Sequence, residues 1–412
     1  MAGDLEVQAG RGVSARGLRI RLVATHPIQY QAPLFRAVAA RSAWDFQVWY
    51  CHRATAEEQG DAGFGVPFEW DVPLLDGYES RLLDNAARRP GLHRFGGLST
   101  PAMGDLLRRD RPDALIVQGW FYRAAWQAIV AAWRQGIPVL MRGDSILPRG
   151  VLTPRSFMTG AARRAFVPRF DACLAVGGRS REYFEHYGAR PDRVFVVPHT
   201  IDAARLAAEA VRGEPCRKRW RAEAGFDDST TVFLLAAKLV DVKRPLDFVE
   251  AVARAARTAR VAGLIAGDGP LRQACERRAR ERQAPVKFLG FVNQSEIARA
   301  YVTADALVLP SDSETWGLVV NEAHVCGRAA IVSDAVGCAP DLIEPGRTGV
   351  VVPPRDPAAL ADAMIRLAAD PSRLAAMGME AQRRAVAWSP DRVADALLHA
   401  LDRTLDERRS TP

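Results

Sequence analysis

The feature that most constrains this chain is an alternation of short apolar runs with helical patterns, played through twice. Apolar runs of five to eight residues occupy 18–25, 45–51, 113–118, 137–141, 172–176 and 194–198. Helical patterns lie between them, at 31–41, 124–134 and 179–187. After Pro198 the series restarts, with runs at 231–237, 261–267, 285–290, 305–310, 329–333 and 348–353. A run that is apolar at nearly every position needs cover on both faces of its sheet, and strands joined through helices pair parallel. The expectation is therefore α/β, with two doubly wound parallel sheets in tandem. We place a flexible start at 1–17, an N-terminal domain at 18–198 and a C-terminal domain at 199–385. A helix over 386–412 is expected to pack back on the N-terminal domain. A polar helix at 212–224 follows the join, and one helical segment runs over 356–384 until Ser389-Pro390 interrupts it. Ligands of such sheets bind beyond the carboxyl ends of the strands, so two domains facing across a cleft would share a site there.

Composition narrows the class. The 412 residues are 48% hydrophobic and 25% charged, which excludes a collagen, a disordered tail and a disulfide miniprotein. The longest uncharged apolar stretch, 124–133, is too short for a spanning helix of ~20 residues. The first residues lack the apolar core of a secretory signal. The six cysteines contain no C-x-x-C pair and read as buried thiols of a reducing compartment. A cytoplasmic protein is expected, with a peripheral place at the inner membrane surface as its closest variant. Residues 1–200 carry 26 Arg, no Lys and 19 acidic residues, against 30 basic and 29 acidic residues in the rest. A basic half suits an anionic partner, or merely an arginine-rich surface.

Three motifs carry chemistry. SDSETWGLVVNEAHVCG, residues 311–327, follows an apolar run and holds Glu314 and Glu322, with Gly317 where a helix can begin. Eight residues of helix span about 12 Å, enough to put one carboxylate at each end of a sugar nucleotide. A helix start between them would turn free N–H groups towards a diphosphate. In LLAAKLVDVKRP, residues 234–245, two of the chain's four lysines, Lys238 and Lys243, share one loop. An ammonium is a compact charge suited to a phosphate oxygen. AGDGP, residues 266–270, places Gly267 and Gly269 between a strand and a helix, where glycine permits close backbone approach. Each motif alone has a plain structural reading: a surface helix, a solvated basic loop, a packing turn.

Together these motifs, with FLGFV (288–292) and LIEPGRTGVVVPPRDPAALADAM (342–364), resemble the retaining glycosyltransferases of family four, which have the GT-B fold. The resemblance is closest over 230–355 and looser in the N-terminal half. It implies transfer of a sugar from a nucleoside diphosphate, UDP by default, to an acceptor hydroxyl; the sequence has no D-x-D motif to hold a divalent ion on a diphosphate, so no metal and no other cofactor is expected. It assigns Lys238 and Lys243 to the diphosphate and Glu322 to the ribose. Glu314 would meet the donor sugar, and the backbone of Trp316, Gly317 and Leu318 would meet sugar and phosphate oxygens. Gly267 and Gly269 complete the donor side. The catalytic set would be Glu314, Lys243, Lys238 and His26. Lys238 stands where an arginine is more usual, and His199 where the family commonly has asparagine.

The acceptor side is expected on the first domain. THPIQYQAPLFR, residues 25–36, follows the first run without the family's glycines, which puts His26, Gln29 and Tyr30 at the site. Arg142 and Asp144 stand at another strand end. From Arg149 to Arg169 there are five Arg (149, 155, 163, 164 and 169) and no acidic residue, interleaved with Phe157, Met158, Phe166 and Val167. That pattern suits an anionic bilayer, an acceptor bearing phosphate, or a helix packed on its own sheet with a basic outer face. The expected acceptor is a glycan or glycolipid of polysaccharide or envelope biosynthesis. A small natural-product acceptor is one alternative and a GT-B sugar-nucleotide epimerase another. A nucleic-acid-binding protein is the non-enzymatic competitor and is not expected.

Overall fold

The computed structural model describes residues 17–410, apart from 42, 62, 64 and 149–153. The stretch 1–16, Arg149 and the side chain of Arg155 therefore lie outside the described residues. The chain divides into two compact units.

The first unit is built on a seven-stranded sheet. Its strands are β1 (Arg19–Ala24), β2 (Asp45–Tyr50), β3 (Glu79–Leu82), β4 (Ala114–Gln118), β5 (Val139–Gly143), β6 (Ala172–Ala175) and β7 (Val194–Val196). They lie in the order β3-β2-β1-β4-β5-β6-β7, and each neighbouring pair is parallel. Strand β3 has no counterpart among the apolar runs. It is an edge strand, ESRL, and only Ser80 is not exposed, so no hydrophobic pattern betrays it. The central strands β1 and β4 are buried along most of their length. Arg21 on β1 is nonetheless 3% exposed. Its guanidinium is paired with Asp110 at 2.8 Å and Asp45 at 2.9 Å, which is how a charge is tolerated there.

The second unit holds six strands: β8 (Thr231–Ala236), β9 (Val261–Ala266), β10 (Val286–Gly290), β11 (Ala306–Leu309), β12 (Ala329–Ser333) and β13 (Gly349–Val352). Their order is β10-β9-β8-β11-β12-β13, again with parallel pairs. The order reverses between β1 and β4 in one sheet and between β8 and β11 in the other. At such a reversal the connections leave in opposite directions and open a crevice at the carboxyl ends of the two strands.

Two helical expectations need correction. The join carries two short helices, Ala203–Gly213 and Arg217–Glu223, in place of one at 212–224. Pro215 lacks an amide hydrogen and ends the first, while Asp202 caps its start by accepting from the Arg205 amide. The segment 356–384 is likewise two helices, Pro357–Ala368 and Pro371–Ala385. Asp370 accepts from the Arg373 amide at 2.9 Å and caps the second beside Pro371.

The unit boundaries depart from a simple halving of the chain. Residues Thr55–Val72 belong to the second unit, although the sequence placed them inside the N-terminal domain. They are held by Phe68 against Phe291, with ring centroids 4.4 Å apart, and by Asn293 donating to the Glu69 carbonyl at 2.7 Å. The Ser295 amide adds a bond to Asp71 at 3.1 Å. The last helix, Pro390–Ser410, belongs to the first unit. It buries Val393, Leu397, Leu401 and Leu405 at helical spacing, in one cluster with Ile20, Phe35 and Val38. Arg41 pairs with Asp391 and, at 3.0 Å, with Asp395. Leu397 is fully buried, so Leu397→Ala should cost about 2–5 kcal/mol, read as a lower urea midpoint in equilibrium unfolding. A midpoint equal to wild type would show that this helix does not help to hold the unit.

Candidate functional site

In the second unit the loops after β8 and β11 meet at the reversal point. After β8 the chain passes Lys238 and makes a tight turn, Asp241–Lys243, ending on Arg244 in the left-handed region, φ 54°. Pro245 then opens a helix to Ala255. After β11 the chain runs through Glu314 to Gly317, at φ 107°, and into the helix Leu318–Val325. The two loops are tied by the Asp312 amide, which donates to the Val242 carbonyl at 2.8 Å. The Lys243 ammonium and the Glu314 carboxylate are ion-paired. Both side chains are mostly buried, 21% and 16% exposed. Burial, then the charge of Lys238, pulls Lys243 down to about 8, and the Glu314 carboxylate works against that pull. Burial lowers Lys238 as well. Two ammonium groups near enough to repel each other, in a partly dry loop, form a site that gains from an anion.

Glycines set the shape of these loops. A Cβ on Gly337 would stand 1.9 Å from the Thr315 carbonyl oxygen, so only glycine lets the two chains approach. There the Gly337 amide donates to the Glu314 carbonyl at 2.8 Å and the Cys338 amide to the Trp316 carbonyl at 2.9 Å. Gly267 has the same role, since a Cβ would lie 1.9 Å from the Ala237 carbonyl oxygen. A Cβ on Gly269 would press on Leu239 at 2.9 Å. Gly267 and Gly269 thus carry at least the packing load of a tight turn. Trp316 is buried and its indole donates to Asn321 at 2.9 Å, fixing the first turn of the helix that Leu318 begins.

Glu322 lies deeper than the motif suggested. It is buried, and Tyr301 donates its hydroxyl to Glu322 Oε2 at 2.6 Å. Burial raises the carboxyl above its usual range, while the Tyr301 bond, Gln294 and Arg205 oppose this. The two glutamates are therefore differently placed: Glu314 in the loop on Lys243, Glu322 on the helix against Tyr301.

One element was missed in the sequence. The loop bearing Gly63 and Gly65, both at positive φ, lies over the same site. A Cβ on Gly63 would meet the Lys238 side chain at 3.4 Å, and one on Gly65 would meet Gly269 at 3.4 Å. The three glycines of GDAGFG, 60–65, were the available signal.

In the first unit Tyr30, Arg142, Asp144 and His199 come together. The Tyr30 and His199 rings meet edge to face at 5.0 Å, and His199 Nε2 is 3.8 Å from Asp144. Burial pushes the Tyr30 phenol up to about 12 and lowers His199, keeping the imidazole neutral. Arg142 is 3% exposed and donates to the carbonyls of Val197 at 3.3 Å and Pro198 at 2.8 Å. Its Nη2 thus clamps the chain beyond β7, while its Nε is buried with no hydrogen-bond partner. His26 is half-buried with Nδ1 3.0 Å from the Thr25 hydroxyl, and the Gln29 carbonyl oxygen is buried with no protein partner. In the basic stretch, Phe157 and Met158 are 72% and 73% exposed, whereas Arg163 and Arg164 lie over the Tyr187 ring. Phe166 is half-buried and Val167 buried. Among the described residues no helix is long and apolar enough to cross a membrane, and no group of three or more His, Cys, Asp or Glu is placed to hold a metal ion.

Two family descriptions match the chain: Glycosyl transferases group 1 over 216–384 and Glycosyltransferase Family 4 over 40–205. A D-inositol 3-phosphate glycosyltransferase of Kineococcus radiotolerans is 30% identical over 288 residues, 65% of this chain and 63% of that protein. The match thus spans less than two thirds of that relative. The Frankia alni protein of the same name is 34% identical over 304 residues, 66% of this chain and 71% of its own length. Among solved structures, Anabaena HepE in complex with UDP and glucose has a TM-score of 0.67 at 16% identity, covering 93% of this chain and 99% of that one. Sucrose-phosphate synthase of Thermosynechococcus elongatus has 0.70 at 20% identity, covering 95% and 100%. The two parallel Rossmann-like sheets are thus those of the GT-B fold, and the chain belongs to the glycosyl transferases group 1 family.

Proposed function

We propose that this chain transfers a sugar from a nucleoside diphosphate sugar to an acceptor hydroxyl, with retention at the anomeric carbon. The observation that carries the reading is the Lys243–Glu314 ion pair beside Lys238 at the β8–β11 reversal. A donor diphosphate would take the Lys243 ammonium from Glu314 and free that carboxylate to accept hydrogen bonds from sugar hydroxyls. The bond from the anomeric carbon to phosphate oxygen breaks, and the acceptor oxygen bonds to that carbon from the same face. The acceptor proton passes to the released diphosphate. Charge grows on that diphosphate as the bond breaks, so Lys238, Lys243 and the amides at the start of the Leu318 helix favour the transition state over the ground state. UDP is the nucleotide we propose, in keeping with the Anabaena structure. Neither a metal nor another cofactor has a part in this scheme. Glu322 holds the ribose, and Gly267 and Gly269 keep the strand-end loops close beneath it.

The acceptor side is assigned to His26, Gln29, Tyr30 and Asp144, with Arg142 as their support. The product belongs to polysaccharide or glycolipid biosynthesis in the cytoplasm, and the exposed Phe157 and Met158, with the basic residues of their stretch, rest on an anionic membrane.

Lys243→Ala should abolish turnover of UDP-glucose, UDP-galactose and UDP-N-acetylglucosamine alike while the circular dichroism spectrum stays that of wild type. Turnover within threefold of wild type would remove the phosphate clamp. Glu322→Gln, which keeps an acceptor for Tyr301, should raise the donor KM more than it lowers kcat. Lys243 must be protonated to bind a diphosphate, and its free-state value lies near 8. UDP affinity by calorimetry should therefore be level below that pH and fall by up to about tenfold per unit above it. Lys243→Arg should remove the inflection, and an inflection that survives there belongs to another group. Sedimentation with phosphatidylglycerol vesicles should exceed that with phosphatidylcholine vesicles and be lost in the Phe157→Ser, Met158→Ser double variant. Equal sedimentation of the two proteins would end the membrane assignment.

A further inference from the structure

In the first unit a concavity of about 170 Å³ opens at the carboxyl ends of β4 and β5. It is walled by Trp120, Phe121 and Tyr122, with Gln118, Asp144 and Ser145 as its polar side chains. Three observations say what it takes. Both amide atoms of Gln118 are buried with no hydrogen-bond partner. A buried amide left unpaired is costly, and it is accounted for when a ligand completes it. Gln118 offers a donor and an acceptor side by side, and a hydroxyl is the small group that answers both. The unpaired amide thus calls for a hydroxylated ring, and charge decides whether that ring can carry a phosphate.

The second observation is charge. Among the described residues lining the concavity, Asp144 is the one side chain charged at neutral pH, and it is a carboxylate. Arg142, the nearby cation, is buried outside that lining, with its Nη2 on the carbonyls of Val197 and Pro198. A phosphate in this place would face Asp144 with no cationic side chain among the described lining residues. The third is the aromatic wall. Phe121 is 57% exposed, a large apolar ring left in solvent at the mouth. Trp120 is fixed behind it by Phe166 at 5.1 Å and Phe184 at 5.9 Å. The C–H face of a pyranose covers such a ring while its hydroxyls reach the polar groups at the rim.

We infer that this concavity is the acceptor subsite and that it binds one neutral sugar ring, not a phosphorylated inositol. The acceptor role rests on the glycosyl-transfer reading above, while the choice of ligand rests on the concavity alone. The chain thereby parts from relatives whose name specifies inositol 3-phosphate.

The test is saturation-transfer NMR on the full chain with the methyl α-pyranosides of glucose, galactose and mannose and with D-myo-inositol 3-phosphate. At least one methyl pyranoside should bind, and inositol phosphate should bind at least tenfold more weakly. Phe121→Ala and Gln118→Leu should each weaken the sugar roughly tenfold, while UDP affinity by calorimetry stays at the wild-type value. Asp144→Asn should narrow the gap between sugar and inositol phosphate. Tighter binding of inositol phosphate, no binding of any methyl pyranoside, or sugar binding untouched in both Phe121→Ala and Gln118→Leu overturns the inference. Failure of UDP to bind wild type would instead strike the donor reading and leave the sugar result standing.

Discussion

A parallel strand pair cannot be closed by a tight turn, so every neighbour in both sheets must be reached by a crossover. That constraint organises the rest of the molecule. All the strands of a sheet then end on one side, and all the loops that follow them gather there. Where the strand order reverses, at β1–β4 and β8–β11, two loops stand with no connection between them. The candidate groups are found at these places: Lys243 and Glu314 after β8 and β11, His26 after β1 and Gln118 as the last residue of β4.

Crowding loops at one edge has a steric consequence, and glycine meets it. Gly267 under the Ala237 carbonyl and Gly337 under that of Thr315 are positions where any Cβ would overlap backbone. The Gly337 contact holds the backbone of Glu314, whose carboxylate meets Lys243 in a mostly buried pair. Burial, with the charge of Lys238, lowers the lysine to about 8. Local steric need and electrostatic tuning are thus one arrangement seen at two scales. The first unit's cluster is made differently. Its buried Arg142 ties the end of β7, and the aromatic neighbours of Trp120 give the concavity a firm wall.

Much of this was legible in the chain because it is written locally. Twelve of the thirteen strands coincide with apolar runs, since a strand buried on both faces has to be apolar almost throughout. The exception, β3, is an exposed edge strand and carries no such mark. The helix breaks at Pro215 and Pro371 were also present as residues but were overridden by the longer helical pattern around them. The lysine pair and the Glu314–Gly317 segment could be picked out because lysine is rare in this chain and the spacing matches a family.

The sequence by itself determined the α/β class and the tandem sheets, because periodicity and turn chemistry act over a few residues. Only tertiary structure decided which side chains use those positions. It paired Lys243 with Glu314, sank Glu322 against Tyr301, turned Arg142 inward and gave residues 55–72 to the second unit. These outcomes depend on burial and on contacts between residues tens to hundreds of positions apart. A charge in water and the same charge in a dry loop are spelled with the same letter, and the fold alone tells them apart.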